Sequence, residues 1–145
     1  MSVGRICTRI VVSAAPTESV RTGAGRMAQH DVGTLVILGG EGATQAIGIV
    51  TDRDIVTRCV AGHLDPDQTP LSVVMTRPLR TVDENTSIEE AVREMARGIT
   101  RRLVVTGEGN RPIGILSLDD VLDLLIGEFG PLQTLLRRQG PHVPV

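Results

Sequence analysis

One stretch of this chain is written twice, and that duplication limits the folds open to it. Gly48-Ile49-Val50-Thr51-Asp52-Arg53-Asp54 reappears as Gly114-Ile115-Leu116-Ser117-Leu118-Asp119-Asp120. Each copy reads glycine, two apolar residues, a hydroxyl, two variable residues and a carboxylate. The offset is 66 residues in a chain of 145. Downstream, Ile55, Val56, Cys59 and Val60 align with Val121, Leu122, Leu125 and Ile126. Upstream, Val20, Ala24, Met27, Leu35 and Val36 align with Ile88, Val92, Met95, Leu103 and Val104 at an offset of 68. Two extra residues therefore lie between Val36 and Gly48. The glycine-rich connection 39–42 is the expected place for them, since exposed loops tolerate insertion. A unit of this length buries little surface alone and must pack on its twin.

Periodicity gives both halves the order strand, helix, strand, strand, helix. In the first, strands are expected at 10–12, 34–38 and 46–50. Pro16-Thr17-Glu18 is expected to open a helix to about His30, with Val20, Ala24, Met27 and Ala28 on one face. Gly23 and Gly25 are consistent with close packing on that helix and equally with a merely weak helix. A second helix covers 52–61 and stops at Gly62 and Pro66. Residues 64–70 read as the connection, and 71–75 as a short helical turn. In the second half, strands are expected at 79–82, 102–106 and 112–116, with a turn at 107–110. Helices are expected at 86–97, opened by a Thr86-x-x-Glu89 capping box, and at 118–127. A separate last helix is expected over 131–139. Pro131 would be its first residue, Leu132, Leu135 and Leu136 its stripe, Arg137 and Arg138 its last turn, with Gly140 and Pro141 beyond. The division is residues 1–63 and 71–128 as repeats, 64–70 as linker and 129–145 as a C-terminal helix and tail. The fold class is α/β (α+β), two β-α-β-β-α repeats about a pseudo-twofold axis, with two equivalent clefts between the sheets.

Composition narrows the function. The chain is 41% hydrophobic and 22% charged, ordinary for a globular protein. No apolar run approaches the roughly 20 residues of a membrane span, and no secretory signal follows the first arginines, so a cytoplasmic location is expected. A net charge of −2 gives no reason to expect nucleic acid or an anionic membrane. All fifteen basic residues are arginine, each a planar fork suited to phosphate or carboxylate. Phe129 is the only aromatic residue, so a bound base would lie between aliphatic side chains. Cys59 falls on an apolar helix face and reads as a buried thiol. A disulfide to Cys7 would be unusual in a cytosol.

At the repeated motif, Thr51 and Ser117 stand where a strand becomes a helix, and Asp54 and Asp120 lie three residues on. Ser/Thr-x-x-Asp at a helix start is also a cap, the hydroxyl taking a backbone N–H and the acid favoured by the dipole. Three features favour a second role: the pattern recurs at the same point, glycine precedes both hydroxyls by three residues, and the acid is Asp twice. A carboxylate can accept both hydroxyls of a ribose, the Thr or Ser can hold sugar or phosphate, and helix N–H groups favour phosphate. Arg53, Arg101 and Arg102 are candidate phosphate clamps.

On these residues, with His30-Asp31-Val32-Gly33 and Arg101-Arg102-Leu103-Val104-Val105, the chain resembles a tandem pair of cystathionine β-synthase (CBS) domains, a Bateman module. The resemblance covers about residues 10–127. It implies adenosine nucleotides (AMP, ADP or ATP) in two clefts and a flat homodimer. It places Thr51 with Asp54, and Ser117 with Asp120, at hydroxyl and ribose-binding positions. Asp52 and Arg53 belong to the first site, and Leu118 and Asp119 replace them in the second, which implies different phosphate handling. Val32, Thr34, Arg80 and Val82 are expected to border the base.

An enzyme is the first rival. His30, His63 and His142 share no spacing with a nucleophile, and His63-x-Asp65-x-Asp67 reads as a solvated loop rather than a metal site. No metal and no obligatory cofactor are expected. A ligand-free dimerisation module is the second rival, and a sensor of S-adenosylmethionine or NAD(H) the third. The expected function is an adenosine-nucleotide sensor acting on an enzyme or transporter in trans, since no residues remain for an output domain.

Overall fold

The computed structural model describes residues 1–138 and, within its last helix, side chains as far as Pro131. Two three-stranded sheets carry the fold. The first half runs β1 (Ser13–Ala14), α1 (Val20–His30), β2 (Thr34–Gly39), β3 (Gln45–Thr51) and α2 (Asp52–Asp54), which continues as a π-helical segment, Ile55–Val60. After α3 (Leu71–Val74) the second half runs β4 (Thr81–Asp83), α4 (Ile88–Gly98), β5 (Arg102–Thr106), β6 (Pro112–Ser117) and α5 (Leu118–Arg138). In both sheets the first strand pairs parallel to the central one and the third pairs antiparallel. The central strands break register at the same point, after Ile37 and after Val105. These are the two β-α-β-β-α repeats expected.

The extra pair of residues is not in the connection. Five residues, 40–44 and 107–111, join the hairpin strands in both repeats. The additional length is one more rung in the first hairpin, Gly39 opposite Gln45.

Several boundaries move because tertiary pairing claims the backbone. The carbonyls of Pro16 and Glu18 accept the N–H groups of Ser72 and Leu71. α1 therefore begins later, capped by Ser19, whose Oγ accepts the Thr22 N–H. The expected Thr86 box is absent for a similar reason. The Thr86 carbonyl accepts the Val3 N–H, and Ser87 caps α4 instead, accepting from Glu90. Ile10 is exposed, and β1 starts only after the Val12 carbonyl accepts from Val36. β4 likewise begins at Thr81 rather than residue 79. The two expected terminal helices are one, with Pro131 inside α5 and Gly127 one turn before it. The leucine stripe 132–136, Arg137 and Arg138 lie outside the described side chains, and residues 139–145 outside the described chain. On α1, Val20, Gly23 and Met27 are buried, whereas Ala24 is half-buried and Ala28 exposed. A Cβ on Gly23 would meet Leu71 Cδ2 at 2.8 Å; one on Gly25 meets nothing within 4 Å.

Each repeat has its own core, and each core is completed by the other repeat's leading segment. Leu71, Val74 and Met75, which precede the second sheet, sit in the first core with Val20, Leu35, Ile37 and Val50. Val3 and Cys7, which precede the first sheet, sit in the second core with Leu103, Val105, Leu116 and Met95. Backbone bridges seal both exchanges, Thr76 to Ile49 and Thr8 to Ile115. Cys59 and Cys7 are buried free thiols. Burial is also what raises the Cys7 thiol pKa, ahead of any neighbouring charge. The 64–70 connection keeps most of its side chains exposed and is tied down through its backbone: Pro66 and Thr69 carbonyls accept from Arg21 and Val20, and Asp67 pairs with Arg21.

Candidate functional site

The repeated glycines are explained by the exchange. A Cβ on Gly48 would stand 2.6 Å from Met75 Sδ and 3.3 Å from the Thr76 carbonyl oxygen. On Gly114 it would stand 2.9 Å from both Cys7 Sγ and the Thr8 carbonyl oxygen. It is the other repeat's backbone that approaches, so the glycine is a packing requirement at both positions.

Three residues on, the capping reading is realised in full. Thr51 N–H donates to Asp54 Oδ2 at 2.9 Å, and Asp54 N–H donates to Thr51 Oγ1 at 3.2 Å. In the second copy, Ser117 N–H and Oγ–H both donate to Asp120 Oδ2 at 2.7 Å, and Asp120 N–H donates to Ser117 Oγ at 3.1 Å. Asp is short enough to close the box that Glu more often closes. The second carboxylate oxygens differ. Asp54 Oδ1 faces Arg58 at 3.5 Å, whose other amino group donates to the Val74 carbonyl. Asp120 Oδ1 has no hydrogen bond among the described residues.

Around the first cap lies a cleft of about 460 Å³, within the range of small-ligand pockets. Thr51, Asp54, Arg53 and Arg58 come to it from the first repeat; Thr76 and residues 98–102 come from the second. It adjoins a hollow of about 70 Å³ that includes Arg80. A second cleft of about 240 Å³ is lined by Ser117, Leu118 and Asp119 together with Arg53, Arg101 and Arg102. The structure thus gathers Thr51, Asp54, Arg53, Arg101 and Arg102 in one place, and Ser117 beside the same three arginines. Asp52 turns to Gly33, where its N–H donates to the carbonyl. Val32, Thr34 and Val82 do not line these clefts; Thr34 and Val82 are buried, and Val32 packs against the first core. Arg80 is paired with Glu94.

Sequence reasoning missed Arg58, Ile49, Thr76, Ile99 and Thr100 as cleft residues. Arg58 had a signal, one helical turn after Asp54. Thr76 had none without the exchange of leading segments. Ile99 takes a left-handed conformation, φ 49°, and is 96% exposed at the cleft wall. A β-branched residue there is uncommon. Among the described residues, no three His, Cys, Asp or Glu side chains group as a metal site, and no helix is long and apolar enough to cross a membrane.

The doubled sheet, the doubled cap and the cleft shared between repeats define a module of two paired repeats. The family model for the CBS domain matches residues 3–61 and again 71–127, and the chain belongs to the CBS domain family. It is 35% identical over 120 residues to the CBS domain-containing protein YhcV of Bacillus subtilis, covering 83% of this chain and 82% of that one. A Methanopyrus kandleri protein is 33% identical, and the match spans 86% of this chain and 62% of the relative. Among solved structures, a CBS domain protein of Pyrobaculum aerophilum complexed with AMP superposes with a TM-score of 0.75 at 26% identity, covering 87% of this chain and 99% of that one. Hypoxic Response Protein I with two coordinated zinc ions gives 0.73 at 30%, covering 85% and 98%.

Proposed function

We propose that the chain is a regulatory module, not an enzyme, that binds an adenosine nucleotide, AMP, ADP or ATP, and passes its occupancy to an enzyme or transporter in trans. The observation that carries this is the 460 Å³ cleft, in which the cap pair Thr51 and Asp54 shares the walls with arginines supplied by the opposite repeat. The Pyrobaculum relative with AMP supports the ligand class. In this reading Asp54 Oδ1 exchanges Arg58 for the ribose hydroxyls, and Asp120 Oδ1 takes a ribose directly. Arg80 stands at the hollow that adjoins the first cleft, and Val32, Thr34 and Val82 lie outside the lining. The nucleotide acts by differential affinity for two arrangements of the repeats.

A homodimer fits the apolar surface. Leu122, Leu125, Ile126 and Phe129 of α5 are exposed beside Val92 of α4, and Ile126 is 70% exposed. Val56 and Val60 are exposed at the matching face of the first repeat. Ile126→Glu should therefore yield monomers in sedimentation; a persisting dimer rejects this face.

One observation favours a different reading. Both caps are closed entirely by the protein's own groups, which a purely structural dimerisation module also accounts for. Titration calorimetry with AMP, ADP, ATP and S-adenosylmethionine separates the two, and NAD(H) extends the series. The chain has no Trp or Tyr for fluorescence. Binding of an adenosine nucleotide that is lost in Asp54→Ala with Asp120→Ala, in a protein that still folds, supports the sensor. Heat from none of these ligands supports the structural module.

A further inference from the structure

Of the four arginines that line the first cleft, Arg53, Arg101 and Arg102 also line the second, and among the described residues these three are what the two walls share. Arg53 comes from the start of α2, while Arg101 and Arg102 come from the start of β5, so both repeats contribute. The Arg53 and Arg102 guanidiniums have no hydrogen bond or ion pair among the described residues, although Arg97, Arg80 and Arg26 are all engaged. Arg101 has one contact, 3.5 Å to Asp119, with both side chains more than 70% exposed. An ion pair so exposed is held weakly and yields to a better anion.

The pseudosymmetry provides no second set. The positions matching Arg53, Arg101 and Arg102 are Asp119, Gly33 and Thr34. Three arginines come to this place from two repeats, with Asp54 on one wall and Asp119 on the other as the carboxylates beside them.

We propose that Arg53, Arg101 and Arg102 form a single anion seat at the partition between the clefts, so that the module holds one polyphosphate chain at a time, reached from either cleft. The ligand class is a nucleoside di- or triphosphate, or free polyphosphate. A first phosphate chain neutralises the seat, and a second would meet spent cations and like charge. The nucleoside end of this inference rests on the function proposed above; the seat does not.

The test uses the full chain and three probes: inorganic tripolyphosphate, adenosine and ATP. Calorimetry should give one tripolyphosphate and one ATP per chain. Saturation with tripolyphosphate should weaken ATP at least tenfold while leaving adenosine unchanged. Arg53→Gln and Arg102→Gln, both at exposed side chains, should each weaken tripolyphosphate and ATP about tenfold or more, the loss expected for a charge-assisted contact to phosphate. Unchanged thermal melts would show that both variants fold. Two ATP molecules of equal affinity per chain, or no competition, overturns the shared seat and leaves the nucleotide reading standing. Absence of tripolyphosphate binding also overturns it. Tripolyphosphate binding without adenosine or ATP binding upholds the seat and removes the nucleotide reading alone.

Discussion

At the first cleft, Asp54 shares the walls with Arg53, Arg58, Arg101 and Arg102. The residues matching those four around Asp120 are Asp119, Leu124, Gly33 and Thr34. The backbone beneath is the same in both places. Asp52 N–H donates to the Gly33 carbonyl, and Leu118 N–H donates to the Arg101 carbonyl. Cap, glycine and register break are repeated because each half needs them to fold. The charges are not repeated because nothing in the fold requires them, and exposed side chains diverge at little cost in stability.

The largest expected effect tests the exchanged segments. Removing residues 1–7 takes Val3 and Cys7 out of the second core and should cost more than about 3 kcal/mol. Hydrogen exchange should then show protection lost in β5 and β6 before β2 and β3. Equal loss in both sheets would show that the repeats fold as one cooperative unit.

Next come the glycines. Gly114→Ala drives a methyl against the Thr8 backbone as well as Cys7, and should cost about 2–3 kcal/mol. At Gly48→Ala the closest obstacle is the flexible end of Met75, so about 1 kcal/mol is expected. Denaturant melts of the pair measure the difference; equal costs would mean that Cys7 and Thr8 shift as readily as Met75.

Smaller again are the caps. Thr51→Ala and Ser117→Ala should each lose about 1 kcal/mol in thermal melts. A clear excess at Ser117 would show that its extra O–H bond to Asp120 matters.

The smallest effect distinguishes the halves by pH. Hydrogen bonding from Arg26, and then from the Ala15 N–H, holds the Glu18 carboxyl below its ordinary 4.5 despite partial burial. Its stabilisation is complete above the unfolded value and is lost as pH falls through the lowered folded value. The matching residues in the second repeat, Thr86 and Glu94, form no such pair. Glu18→Gln should remove less than about 1 kcal/mol at neutral pH and nothing in acid, which melts at about pH 3 and pH 7 would reveal.

The repeat made the fold legible, because each element was seen twice in one apolar rhythm. Four strands, β2, β3, β5 and β6, fell within a residue of expectation. What the sequence could not show was pairing between distant segments. Thr86 looked like a better cap than Ser87 until the Val3 N–H took its carbonyl. Pro131 looked like a helix start, yet α5 runs through it. Of the cleft linings, Thr51, Asp54, Ser117 and the arginines Arg53, Arg101 and Arg102 were legible, because their types stand out in the sequence. Thr76 and Ile99 do not stand out, and only the crossing of the two repeats brings them to the cleft. Gly48 and Gly114 stood out because each precedes a hydroxyl by three residues, and what approaches them is the other repeat's leading segment.

The exchanged segments also bear on what one repeat can do alone. A solitary half carrying its own leading arm has nowhere to lay it except on another copy, and its own core stays open until a twin's arm arrives. A half-length chain built this way closes its core only as an intertwined pair, each copy lending an arm and receiving one.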